Sequence, residues 1–261
     1  MTDGATPELV VHRDAPVLAQ AVAARLVTKL VDVLAAKDEA HLVLTGGTIG
    51  VGSLKAVAGL PARVAVDWKR VHLWWGDERF LPSGDSERND TQARAALLDG
   101  LDLDPSRVHA MPATDGPDGS NAEAAAERHA AELARYAAAG GDTPEFDVLM
   151  LGMGPDGHIA SLFPEHPGVY EQGPSVISVH NSPKPPPNRL SFTFRTIRGA
   201  REVWVVAAGA QKADAAYLAL SGAGRVQVPA AGALGRLRTL WLLDRACAAR
   251  LPPGLNRISS P

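Results

Sequence analysis

Phe146-Asp147-Val148-Leu149-Met150-Leu151-Gly152-Met153-Gly154-Pro155-Asp156-Gly157-His158-Ile159-Ala160-Ser161-Leu162-Phe163-Pro164 runs from an apolar stretch into a glycine-rich turn. A continuous run such as Phe146 to Leu151 suits a central strand of a parallel sheet, buried on both faces. The turn then delivers an aspartate and a histidine where a short helix is expected to start. Gly152, Gly154 and Gly157 also spell G-x-G-x-x-G, the pattern of a dinucleotide site. Such a site needs a full crossover helix after the glycines and an acid at the end of the following strand. Here Pro164 stops the helical run soon after His158, and the next strand, Val176 to Val179, ends in His180. Both tests go against a nucleotide cofactor. What remains is Asp156 and His158 on a turn shaped by Gly154 and Gly157. Histidine is the usual general base near neutral pH, and a nearby carboxylate can orient it.

Outward from this stretch, strand-like and helical runs alternate. Leu9 to His12 reads as a strand, and Asp14 with Pro16 opens a helix to about Ala36 in positions those residues favour. His41 to Leu44 and Val71 to Trp75 read as strands, and Asn89 to Leu98 and Asn121 to Ala139 as helices. Val176 to Val179, Leu190 to Phe194, Glu202 to Ala208 and Thr239 to Leu243 complete the strands. This β-α-β rhythm predicts an α/β protein with a mostly parallel sheet and helices on both faces. The Pro-rich piece Ser182-Pro183-Lys184-Pro185-Pro186-Pro187 is either a linker or an ordered active-site loop; its short length between two strands favours the loop. His41 and His72 occupy strand positions and are expected to be structural.

A chain of 261 residues with 46% hydrophobic content can bury a full core, and one domain over residues 1–261 is expected. The net charge of −3 comes without a lysine/arginine run, so no nucleic-acid partner is expected. The lone cysteine, Cys247, cannot form an internal disulfide, and no structural zinc site is expected. The first ten residues carry an early acid and no apolar run of signal-peptide length, and no stretch approaches a membrane span. A cytoplasmic protein without membrane partners is the expectation.

Ligands of open parallel sheets collect outside the carboxyl ends of the strands. Two further ends stand out. Thr45-Gly46-Gly47-Thr48 precedes a helix beginning near Ile49; glycines and free N–H groups there suit a phosphate, or else form a tight turn with no ligand. It is not a Walker A loop, since no Gly-Lys-Ser/Thr follows. Trp75-Gly76-Asp77-Glu78-Arg79, with Asn89 downstream, is either a surface ion pair or one wall of a crevice, where the arginine would fork onto phosphate or carboxylate oxygens.

Taken in order, these stretches closely resemble the 6-phosphogluconolactonases, within the larger superfamily that includes glucosamine-6-phosphate isomerase/deaminase. The resemblance continues through Ser182-Pro183-Lys184-Pro185-Pro186 with Arg189, and Gly209-Ala210-Gln211-Lys212-Ala213, and covers nearly the whole chain. Its most specific part is Gly154-Pro155-Asp156-Gly157-His158 with Ser161-Leu162-Phe163-Pro164, combined with Asp77-Glu78-Arg79. There are departures: Ile49-Gly50 where the family usually has Thr-Pro, Arg88 where a serine often precedes the asparagine, and Ile159 for a frequent threonine.

The resemblance implies a modified Rossmann-like, sugar-phosphate isomerase-like fold that hydrolyses 6-phospho-D-glucono-1,5-lactone in the oxidative pentose phosphate pathway. It implies that His158 activates water and later protonates the ring oxygen, and that Asp156 tunes it. Arg79, Arg189 and Lys212 would hold phosphate or stabilise charge, with the Gly46-Gly47 backbone assisting. Thr45, Thr48, Asp77, Glu78, Asn89, Gly152 and Gly154 complete the implied substrate contacts. Neither metal nor cofactor is implied, and a monomer or weak dimer is expected.

Two rivals carry different chemistry. The aminosugar-phosphate isomerase/deaminases of the same superfamily resemble Asp-Glu-Tyr after the second strand and Asn-Glu-Pro shortly after the histidine; this chain has Arg79 there, and Phe163 in place of the acid. A non-catalytic sugar-phosphate sensor is expected to carry a DNA-binding module, for which the segment before Leu9 leaves no room.

Overall fold

The computed structural model describes residues 6–252 and the backbone of 257–259; residues 1–5, part of the stretch searched for a leader, lie outside it. The strands are β1 (Glu8–His12), β2 (Ala40–Leu44), β3 (Val71–Trp75), β4 (Asp77–Arg79), β5 (Val148–Gly152), β6 (Val176–Val179), β7 (Arg189–Phe192), β8 (Glu202–Ala207), β9 (Arg238–Asp244) and β10 (Arg257–Ser259). The α-helices are α1 (Ala15–Ala36), α2 (Gly47–Gly59), α3 (Asn89–Ala96), α4 (Ala122–Ala134), α5 (Phe194–Gly199) and α6 (Ala213–Leu220). Seven strands form a parallel sheet in the order β10-β1-β9-β8-β5-β2-β3.

Because side chains alternate across a strand, one sheet feeds two cores. Leu42, Leu44, Trp75, Val148, Met150, Trp204 and Leu242 pack with Leu18, Val22, Leu26 and Leu30 of α1 and Leu54 and Val57 of α2. Val43, Trp74, Leu149, Leu151, Val203 and Val205 pack on the other face with Ala122, Ala125 and Leu133 of α4 and with Ile197 of α5. The helix starts follow local chemistry. Asp14 caps α1 by accepting from Val17 N at 2.9 Å, with Pro16 in the first turn, and Asn121 caps α4 by accepting from Ala124 N at 3.0 Å. Among the described residues no helix is long and apolar enough to cross a membrane.

Three departures from the sequence reading matter. Asp77–Arg79 is a strand, not a turn: after Gly76 the chain leaves the parallel sheet and pairs antiparallel with β7, which pairs with β6, making a second sheet in the order β4-β7-β6. No helix follows His158; Gly157 and Ala160 have φ of 82° and 47°, which interrupts helical geometry, and a tight turn bridges Ile159 to Leu162. The alanine-rich helix ends at Ala134 rather than Ala139. There Tyr136 N bonds back to Leu133 O and the Tyr136 ring turns inward onto His72, Trp74 and His109.

Successive connections proceed outward from β2 to β3, then from β5 to β8 and β9 on the other side. The direction of winding reverses between β2 and β5, and a crevice opens at their carboxyl ends.

Candidate active site

A cleft occupies that crevice, lined by Thr45, Gly46, Gly47 and Thr48 after β2, Asp77 and Arg79 on β4, Gly152 and Gly154 at the end of β5, and Asn89, His158, Arg189 and Lys212. Met153, Ile49 and Ala160 complete the lining. The walls are tied together by polar contacts between distant segments. Thr45 Oγ1 accepts from Gly152 N at 2.9 Å, joining the ends of β2 and β5. Asn89 Nδ2 donates to Asp77 O at 2.9 Å, and Ser161 Oγ donates to Asp77 Oδ2 at 2.8 Å. Gly46 is required by close approach: a Cβ there would stand 1.9 Å from Asn89 Oδ1.

His158 Nδ1 lies 2.6 Å from Asp156 Oδ1. An ionised carboxylate only accepts, so Nδ1 carries the hydrogen, and in a neutral imidazole Nε2 then keeps the lone pair. Burial pushes the Asp156 carboxyl up, but the hydrogen bond and charge of His158 and the charge of Lys184 outweigh it and hold it well below the usual carboxylate range. Asp156 does not line the cleft; it stands behind His158. The imidazole also rests on the buried Phe163 ring, 4.6 Å between centroids, and the Arg189 guanidinium lies over that ring at 5.7 Å.

The cleft that His158 lines is otherwise cationic. Arg79 and Arg189 are direct cross-strand partners of β4 and β7. Like charges so placed repel, which costs stability unless an anion bridges them. Among the described residues neither they nor Lys212 forms an ion pair with a carboxylate. Burial holds the Lys212 ammonium below its ordinary value and does the same to Arg189. Nε of Arg79 and Oδ1 of Asn89 are buried without a hydrogen-bond partner. The first N–H groups of α2, which no intrahelical carbonyl satisfies, open into the same space. Together these features fit a ligand with a strongly anionic end.

Two sequence readings change here. Glu78, expected among the substrate contacts, is fully buried and absent from the cleft. Its carboxylate accepts from the backbone N–H groups of Arg79 (2.8 Å), Asn89 (2.7 Å) and Asp90 (2.9 Å), anchoring the start of α3. Arg88, a departure from the family pattern, is buried too. It donates to the carbonyls of Leu81, Met111 and Pro112 and pairs with Asp90 at 2.9 Å. Lys184 and Phe163 touch the dyad in ways the sequence does not announce; the Pro-rich motif around Lys184 is the available signal. That motif is an ordered loop: Arg189 donates to the carbonyls of Lys184 (3.2 Å), Pro185 (2.8 Å) and Pro186 (3.2 Å).

Residues 13–241 match the model of the glucosamine-6-phosphate isomerases/6-phosphogluconolactonase family. The chain belongs to that family. It is 62% identical over 252 residues to the 6-phosphogluconolactonase of Streptomyces coelicolor, covering 96% of this chain and 97% of the relative. It is 48% identical to that of Mycobacterium tuberculosis, covering 92% and 96% of the two chains. The solved structure of 6-phosphogluconolactonase from Trypanosoma brucei superposes with a TM-score of 0.80 at 26% identity, covering 94% of this chain and 99% of that one. A monomeric glucosamine-6-phosphate deaminase shares the fold, with a TM-score of 0.75 at 19% identity.

A second gathering of titratable groups lies at the opposite edge, at the starts of β2 and β3, where Glu39, His41 and His72 bring ligand atoms within 4.8 Å of one another. Trp74 Nε1 donates to His41 Nδ1 at 3.2 Å. A neutral His41 therefore carries its proton on Nε2, toward Glu39, and offers a cation no lone pair there. His41 stacks on His72 at 4.5 Å, as expected of interior packing residues.

Proposed function

We propose that this family member hydrolyses 6-phospho-D-glucono-1,5-lactone to 6-phospho-D-gluconate, an oxidative pentose phosphate pathway reaction, with His158 as general base. The observation that carries the reading is His158, backed by Asp156, in one cleft with Arg79, Arg189 and Lys212 at the sheet's switch point. The relatives named 6-phosphogluconolactonase, at 48–62% identity over nearly the whole chain, support the same substrate.

In this scheme the lone pair on His158 Nε2 takes a proton from water as its oxygen attacks the lactone carbonyl carbon. Asp156 holds the tautomer and steadies the imidazolium that forms. The carbonyl oxygen becomes an oxyanion, which cationic groups and N–H donors of the lining stabilise in a partly dehydrated space. Collapse breaks the bond to the ring oxygen, and the imidazolium returns its proton there. Arg79, Arg189 and Lys212 neutralise the phosphate and the developing charge, with Gly46 and Gly47 donating from the backbone. Thr45, Thr48, Asp77, Asn89, Gly152 and Gly154 shape the walls. Both halves of the reaction use groups of this chain, a base and fixed donors, acting on one water molecule.

The test is acid release from freshly generated lactone, measured against a protein-free blank because such lactones also open spontaneously. His158→Ala should lower kcat by roughly 10²–10⁴-fold, the contribution typical of a general base. Near-normal turnover by that variant would remove His158 from the role.

A further inference from the structure

Lys184 reaches the dyad from a segment far away in sequence. Its Nζ lies 3.3 Å from Asp156 Oδ1 and 3.2 Å from His158 Nδ1. An ammonium has donors only, and Nδ1 of His158 already donates to the same Oδ1. The contact between the two nitrogens is thus not a hydrogen bond. It brings a fixed positive charge against the ring that must become positive when it takes a proton.

The lysine is held there. Ser182 Oγ donates to Lys184 O at 2.9 Å and accepts from Lys184 N at 3.3 Å, while Arg189 grips the same carbonyl from the other side. Ser182 N closes the loop on Pro187 O at 2.9 Å. Prolines at 183, 185, 186 and 187 restrict the backbone around it. Lys184 does not line the cleft, so its contacts are with the dyad rather than with the space a substrate would fill.

We propose that Lys184 is a positioning residue that shares the Asp156 carboxylate with His158 and sets a fixed positive charge against the imidazole, opposing the carboxylate's pull on its proton. The inference rests on the reading of His158 as general base. An Asp–His pair alone stabilises the imidazolium, which cannot accept a proton from water. A lysine on the same oxygen keeps the geometry and cancels much of the carboxylate's pull. The other charged or titratable groups around His158 are Asp77 and Arg79 on β4, Arg189 on β7 and Lys212 ahead of α6, with His166 at the edge of Phe163. All of these are retained in a Lys184 variant, so the difference from the parent isolates Lys184.

The experiment compares Lys184→Met, Lys184→Arg, His158→Ala and the parent, each verified as folded by circular dichroism, in blank-corrected lactone hydrolysis from about pH 5.5 to about pH 8. Lys184→Met should move the acidic limb of kcat/KM upward by about one pH unit, a roughly tenfold loss near pH 6 that closes near pH 8. KM near pH 8 should stay within about twofold of the parent, since no substrate contact is removed. Lys184→Arg should keep the parent profile. A Lys184→Met profile that superposes on the parent overturns the inference, and so does a higher KM with an unmoved limb, which would make Lys184 a substrate ligand. If His158→Ala stays active, the general-base reading itself falls; if it is inactive while Lys184→Met is unshifted, only the role of Lys184 falls.

Discussion

A methyl group on Gly154 would stand 2.0 Å from Nδ1 of His158 and 2.4 Å from Oδ1 of Asp156. The glycine is therefore a space the dyad occupies, and the backbone closes around it through Gly154 N donating to His158 O at 2.9 Å. Gly154→Ala is expected to fold, because the obstruction is a side chain at the rim of the cleft, but to push the imidazole out of register. Misplacing a base by about 1 Å can cost on the order of 10²-fold in rate. Steady-state kinetics should show that loss in kcat, with a thermal midpoint near the parent's. An unchanged kcat would mean that the pair has room the structure does not show.

Lys212 is a half-buried ammonium in the cleft with no carboxylate partner among the described residues. Lys212→Ala should remove one charge-assisted contact to the phosphate, about 2 kcal/mol, which is roughly thirtyfold in KM with a smaller effect on kcat. The same variant should lose inhibition by inorganic phosphate. A KM equal to the parent's would exclude Lys212 as a phosphate ligand.

His129 on α4 sits between Trp74 and Phe192 with Nε2 buried and unpartnered, and burial, aided by the charge of His109, pushes its pKa down to about 3. The unfolded chain keeps the ordinary value near 6.5, so below that pH the unfolded state binds the extra proton. Stability should thus be full above about pH 6.5 and fall as pH drops toward the folded value, by about 1.4 kcal/mol per pH unit from this one group. His41, also held near 3 by burial, adds to the same slope. Thermal midpoints measured across this range should show a shallower acid decline in His129→Leu than in the parent. Parallel curves would refute the assignment.

Much of the site was legible because its chemistry is local. Asp156 and His158 are two residues apart on a glycine turn, and the Thr45-Gly46-Gly47 loop follows an unmistakable strand, so neighbouring letters already specify their geometry. Helix starts at Asp14 and Asn121 were readable for the same reason: a cap is a contact across three residues. The helix expected after His158 failed because Gly157 and Ala160 adopt positive φ, a conformation set by how the turn packs against β7 and Val228.

Asp77, Glu78 and Arg79 mark the boundary between the two kinds of information. Composition, periodicity and motif order were enough for a parallel α/β sheet, for polar turns at the ends of β2 and β5 and for the acid–base pair. They left Asp77-Glu78-Arg79 as one polar cluster. Antiparallel pairing with β7 makes it a strand, and alternation then sends Asp77 and Arg79 into the cleft and Glu78 into the interior as an anchor for α3. The same pairing sets Arg79 opposite Arg189, 110 residues later in the numbering of one chain, and the loop that Arg189 grips carries Lys184 to Asp156. Such contacts depend on which strands meet and in what register. That is settled by burial of the whole core, and no local run of residues encodes it.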